Sequence, residues 1–263
     1  MCQIASPLEV EDGTMCRMPS PQPGPLSWLD EPIEFVAPSA PAAPGLTIYV
    51  IGSPSKDQKY QFQFVDAADC KPKDASTIWL IEKTGYEIYG APLDYITKLA
   101  PAGGYGWITP KAPLVGWLNS FKDGTIQRLV VFSHGLRGLI ALRYGWEDVK
   151  LADYGLTVGE VASIDPKKFA ANPIIEFDSC NSGVSDSSGG VSVAQALANR
   201  LRVAVGGWTG RTSYADVNSH AACVVRGSGQ THNPFSSETY KEFWSRHKAG
   251  GAPEFKLFQP SKD

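Results

Sequence analysis

Short, uninterrupted runs of apolar and β-branched residues, separated by polar or Gly/Pro-rich stretches, constrain this chain more than any other feature. They are LTIYVIG from Leu46 to Gly52, STIWLIE from Ser76 to Glu82, LVVFSHG from Leu129 to Gly135, IIEFDSCNSG from Ile174 to Gly183 and RVAVGGWTG from Arg202 to Gly210. Runs of this kind, apolar at consecutive positions, read as strands buried on both faces and therefore paired in parallel. Helical patterns lie between them, at about Leu93 to Leu99 and Pro113 to Phe121, punctuated by Pro101 to Gly104 and Asp123-Gly124. A further amphipathic helix spans Val193 to Leu201, with Ser192 as its cap. Strands alternating with helical connections predict an α/β fold: a mostly parallel sheet in a three-layer α/β/α sandwich. A short hairpin arm is expected over Gly138 to Gly145, a turn or helix over Thr157 to Phe169, and a terminal helix over Ser237 to Lys248, with the last residues frayed. The stretch between the first two strands reads as polar connection.

Composition sets the bounds. With 263 residues, 43% hydrophobic and 19% charged, the chain can bury the core of one domain with extensions. Eight prolines fall between Pro19 and Pro44, so residues 1–44 read as a Pro-rich extension or prosegment and 45–263 as the folded domain. Trp28, Leu29, Ile33, Phe35 and Val36 offer anchors for a strap laid over that domain. A net charge of -3 gives no reason to expect nucleic acid or an anionic membrane as partner. The start, MCQIASPLEVED, lacks a basic n-region and an apolar h-region, and no stretch is long and apolar enough for membrane insertion. The expected location is the cytoplasm of the producing cell, with export that reads no cleavable signal as the alternative. Five cysteines, an odd number without CxxC spacing, argue against a disulfide framework and a structural zinc site. His220 and Cys223 make only a lone HxxC, and His232 and His247 have no partner pattern. No metal and no cofactor is expected.

Two of the strand runs end on reactive residues, His134 and Cys180. In open α/β sheets functional groups sit just beyond the carboxyl ends of strands. Read singly, a strand-end His is most often a turn residue and a lone Cys a small buried apolar side chain. Read together, at two strand ends, they offer a base and a thiol nucleophile that the sheet brings side by side.

This His-Gly block followed by a Cys block resembles the caspase-like (clan CD) cysteine peptidases. Within that clan it is nearest to the self-cleaving protease domains of large bacterial toxins. The resemblance covers roughly Gly45 to Thr212, and the 46 residues between His134 and Cys180 are close to the roughly 50 separating the His and Cys of caspases. It implies a cysteine endopeptidase working through an acyl-enzyme on a protein or peptide substrate. Cys180 would be the nucleophile, His134 the general base and later the acid, and the N–H groups of Gly135 and Cys180 the oxyanion hole. It further implies that residues 208–213, just past the strand that follows the nucleophile, line the pocket for the P1 side chain. Trp208 and Arg211 lie in that stretch, where Arg211 would pair an acidic P1 group; Asp216 would instead select a basic one.

The chain departs from the family in two places. Asp178 and Ser179 precede Cys180 where caspases carry Gln-Ala, and Gly183 comes three places later rather than two. Lys167 and Lys168 do not amount to the dense basic pocket with which the toxin domains hold an inositol phosphate, so that activator is not carried over. Asp178 alternates with Cys180 along the strand and is read as a structural carboxylate. A bacterial effector or toxin is the implied setting, with a docking or inhibitory partner reached through the N-terminal extension. Two other classes stay open. FSHGLRG also resembles the oxyanion loop of α/β-hydrolase esterases and lipases, although the GxSxG elbow is missing and the His precedes the nucleophile. A non-catalytic caspase-like binding module is the third.

Overall fold

Alternation of apolar side chains along each central strand determines how the layers form. In the computed structural model, which describes residues 35–36, 45–55, 62–144, 154–186, 188–211 and 253–262, strand β2 spans Leu46–Ile51, β3 Thr77–Glu82 and β5 Ile126–Phe132. One face of these strands presents Ile48, Val50, Ile78, Leu80, Leu129 and Val131, and the other presents Tyr49, Ile51, Trp79, Ile81, Val130 and Phe132. Both sets are buried, so helices must cover both faces. The first face is packed by α4 (Leu114–Ser120), α5 (Val158–Val161) and α6 (Val193–Leu201). The second is packed by α1 (Gln63–Asp69), α2 (Lys83–Tyr89) and α3 (Leu93–Leu99). This arrangement is compatible with a three-layer α/β/α sandwich.

Completing the sheet are β1 (Phe35–Val36), β4 (Tyr105–Ile108), β9 (Phe169–Asp178), β10 (Val205–Trp208) and β11 (Phe255–Phe258). The eight strands lie in the order β1-β4-β3-β2-β5-β9-β10-β11. The six inner strands are parallel and the two edges antiparallel. After the edge strand β1, the parallel part of the sheet therefore starts in the middle at β2, builds outward to β4, returns to β5 on the far side of β2, and builds outward again. Strand order reverses between β2 and β5, and crevices at the carboxyl ends near such a reversal are where α/β sheets place their sites. A small antiparallel sheet, β6 (His134–Leu136), β7 (Leu139–Ala141) and β8 (Gly155–Thr157), rises directly from the end of β5. The hairpin arm expected from Gly138 to Gly145 is met in part: the hairpin starts earlier, at His134, turns at Gly138 with φ 72° and ends at Ala141, and Gly145 lies outside the described residues. Ser192 caps α6 by accepting from the Gln195 N–H at 3.1 Å, as its position predicts.

Three elements depart from the sequence reading. Gln63–Asp69, read as polar connection, is helical because Phe64, Val65, Ala67 and Ala68 fall on its buried side. β4 was hidden by its glycines: a Cβ on Gly103, just before it, would stand 2.1 Å from the Thr77 carbonyl oxygen, so the strand approaches β3 only without one. The segment expected to fray forms β11 instead. Gly206 leaves room for the Phe255 ring, which a Cβ there would meet at 2.3 Å, and Gly183 does the same for Phe258. Phe35 and Val36, read as strap anchors, pair with Gly106 and Tyr105. The expected terminal helix and the remainder of the extension lie outside the described residues. Among the described residues no helix is long and apolar enough to cross a membrane.

Phe258 packs partly buried against the main core. Phe258→Ala should lower stability by about 1–2 kcal/mol in urea unfolding. An unchanged midpoint would mean that β11 contributes nothing to the fold.

Candidate active site

β5 and β9 run in register, Val131 opposite Phe177 and Phe132 opposite Asp178. One residue further, the hydroxyls of Ser133 and Ser179 lie 3.1 Å apart, both buried. The next residue on each strand is His134 and Cys180 respectively. The two sequence candidates thus occupy equivalent steps past two adjacent parallel strands. Gly135 shows how closely the backbones approach: a Cβ on it would stand 1.7 Å from the Cys180 carbonyl oxygen and 2.9 Å from the Cys180 nitrogen. Only glycine fits there.

The turn after Cys180 is tied down on two sides. Asn181, at φ 53°, takes the left-handed conformation that Asn tolerates better than most residues. Its N–H donates to the Gly210 carbonyl at 2.8 Å, the Gly183 N–H to the Trp208 carbonyl at 2.9 Å, and the Trp208 N–H to the Ser182 hydroxyl at 3.0 Å. The Ala194 N–H of α6 donates to the Ser182 carbonyl at 3.1 Å. Cys180 is half-buried and is not part of a disulfide. Cys70, by contrast, is disulfide-bonded. An odd cysteine count argues only against complete pairing.

Two aromatic groups contact the His134 ring. Phe64 of α1 meets it edge-on, centroids 4.9 Å apart at 87°, and Tyr144 lies 5.3 Å away at 43°. Nε2 is buried with no hydrogen-bond partner. Burial disfavours the imidazolium and pushes the pKa down to about 4. His134 is therefore neutral at physiological pH, able to accept a proton but not charged at rest.

Charged groups nearby are paired among themselves. Lys71, in the turn after α1, places its ammonium 3.1 Å from Asp178 Oδ2, with side-chain exposures of 5% and 0%. The same ammonium lies over the Phe132 ring at 5.7 Å. Asp178 thus faces a lysine rather than the solvent. At the ends of β2 and β3, Glu82 is fully buried. It accepts from the Thr84 and Gly85 N–H groups at 3.0 and 2.8 Å, with Ser53 and Arg143 also close, and burial raises its pKa above the usual carboxylate value. The Ser53 N–H donates to the Leu142 carbonyl at 2.7 Å. The segment after β7 therefore fills the crevice between β2 and β5.

Trp208 is 6% exposed, with its ring against Phe255 at 5.5 Å, and serves as a wall behind the Cys180 turn. Arg211 is exposed beside Gly210, at the rim of that turn. Asp216 lies outside the described residues. Lys71, Phe64 and Tyr144 were not singled out from sequence; only their positions in the fold reveal them. Among the described residues no group of three His, Cys, Asp or Glu could hold a metal. No protein-family profile, curated protein or solved structure matches this chain.

Removing one partner of the buried pair leaves the other uncompensated. Asp178→Asn or Lys71→Met should each cost about 3–5 kcal/mol, and the double substitution Lys71→Met with Asp178→Leu less than the sum. Denaturant unfolding of the three variants measures this. Strict additivity would show that the pair does not interact.

Proposed function

We propose that this protein is a cysteine endopeptidase of caspase-like architecture that works through a His134–Cys180 dyad. The observation that carries the reading is the matched position of these residues past adjacent parallel strands, with Gly135 against the Cys180 backbone. A neutral imidazole suits general-base activation of a thiol rather than a resting ion pair. The Cys180 sulfur attacks the scissile carbonyl while His134 takes its proton. The N–H groups of Gly135 and Cys180 stabilise the oxyanion of the tetrahedral intermediate. As that intermediate collapses, His134 returns the proton to the leaving amine, and an acyl-enzyme remains. Water, deprotonated by the same imidazole, then hydrolyses the thioester and restores the thiol.

Arg211 stands at the rim of the Cys180 turn, where a guanidinium can take a P1 carboxylate through two parallel N–H donors. An effector or toxin acting outside the producing cell is the proposed setting. Residues 1–44 would then serve as a prosegment or as the docking segment for an inhibitory partner.

Cys180 should be the first cysteine alkylated by iodoacetamide, as read by mass spectrometry, and His134→Ala should slow that labelling. Peptide hydrolysis should vanish in Cys180→Ala. Activity that survives in Cys180→Ala would exclude the thiol mechanism. Arg211→Ala should reduce kcat/KM for acidic-P1 peptides roughly ten- to a hundredfold, consistent with loss of a charge-assisted contact. A library profile favouring Leu, Lys or Arg at P1 would remove Arg211 from the pocket and leave the dyad in place.

A further inference from the structure

In peptidases with a catalytic His, a third polar group commonly orients the imidazole. Here the contacts to the His134 ring are aromatic, and its buried Nε2 meets no donor or acceptor. We infer that Phe64 and Tyr144 form a clamp that orients and desolvates His134 in place of such a polar group, which makes both of them positioning residues. The inference rests on the dyad proposed above and adds how its base is held.

The two jaws differ in anchorage. Phe64 is fully buried within the core cluster that also contains Ile51 and Phe132, so its ring is fixed nearly perpendicular to the imidazole. An edge-to-face contact of this kind prefers one ring orientation. Tyr144 is 37% exposed and covers the imidazole from outside. The residue before it, Arg143, is 2% exposed and lies over the Tyr154 ring at 5.0 Å, which fixes the backbone from which Tyr144 projects. Rotation of the imidazole would have to displace one jaw or the other.

Charged groups on the surrounding elements are directed elsewhere. On α1, Asp66 receives the Tyr95 hydroxyl at 3.5 Å and Asp69 pairs with Lys73. Lys71 and Asp178 neutralise each other, and Arg143 lies toward Glu82 and Tyr154. Among the described residues, the titratable side chain in contact with the ring is that of Tyr144. Desolvation alone lowers the pKa of His134, and that agrees with a clamp that is apolar on both sides.

The test reads His134 directly. Its imidazole carbon resonance is titrated by NMR in the full chain carrying Cys180→Ala, alone and combined with Tyr144→Ala, Tyr144→Phe or Phe64→Leu. The midpoint should lie near 4 with both jaws intact. It should rise by roughly one unit or more in Tyr144→Ala and Phe64→Leu, toward the ordinary His value, and stay low in Tyr144→Phe, which keeps the ring. With Cys180 present, Tyr144→Ala should lower kcat roughly tenfold with KM nearly unchanged, and the acid limb of kcat/KM should move up by the same shift as the NMR midpoint. An unmoved midpoint in Tyr144→Ala overturns the clamp. So does a Tyr144→Phe variant that behaves like Tyr144→Ala. Tyr144 is partly exposed, so its variants decide the matter even if Phe64→Leu fails to fold. A shifted midpoint without any Cys180-dependent hydrolysis would overturn the peptidase reading while leaving the aromatic seat of His134 established.

Discussion

Everything at the candidate site depends on β5 and β9 ending in step. Parallel strands carry no hairpin to set their register, so it must come from side chains fitting both faces of the sheet. Here Leu129 and Val131 pack into one core and Val130 and Phe132 into the other, so a slip by one residue would exchange the two sets. The buried contact between Ser133 and Ser179 carries the alignment one residue past the last ladder pair. Neither backbone has much freedom after that. Gly135 must pass the Cys180 carbonyl without a side chain, and the turn from Asn181 to Gly183 is fastened to β10.

Around this point the molecule separates its polar groups by function. Lys71 and Asp178 form a closed pair on one side, and Glu82 with its backbone donors and Arg143 nearby forms another group on the other. Between them His134 sits among aromatic rings. A buried ion pair adds little net stability, but it keeps its charges out of the field of its neighbours. The imidazole is therefore governed by desolvation rather than by a nearby carboxylate. The proton affinity of this imidazole is set through packing.

The legible part of the sequence was the part dominated by burial. Leu46–Ile51, Thr77–Glu82, the Leu129 run and the Ile174 run needed only apolar β-branched continuity, and Ser192 announced the start of its helix through an ordinary capping preference. One element built on glycine was illegible. The strand at Tyr105–Ile108, preceded by Gly103-Gly104, looks like a break until the partner that fills the missing side-chain space is known, whereas the Gly206-Gly207 pair was carried by the apolar run around it. The site divided along similar lines. His134 and Cys180 each stand at the end of a readable strand, whereas Phe64, Lys71 and Tyr144 reach it through connections whose local sequence says nothing about their destination.

The last sheet strand bears on when, as well as how, the Cys180 turn is completed. The Phe258 ring fills the space above Gly183, the Gln195 amide donates to the Gln259 carbonyl at 2.7 Å, and the Ser261 N–H donates to Asn199 at 2.8 Å. A nascent chain that has released residues 169–208 from the ribosome but not yet 255–261 has both strand ends without the clip that steadies the turn between them. Translation itself thus imposes a delay. The thiol reaches its finished setting only after synthesis has passed Ser261, when the rest of the sheet has already had time to fold.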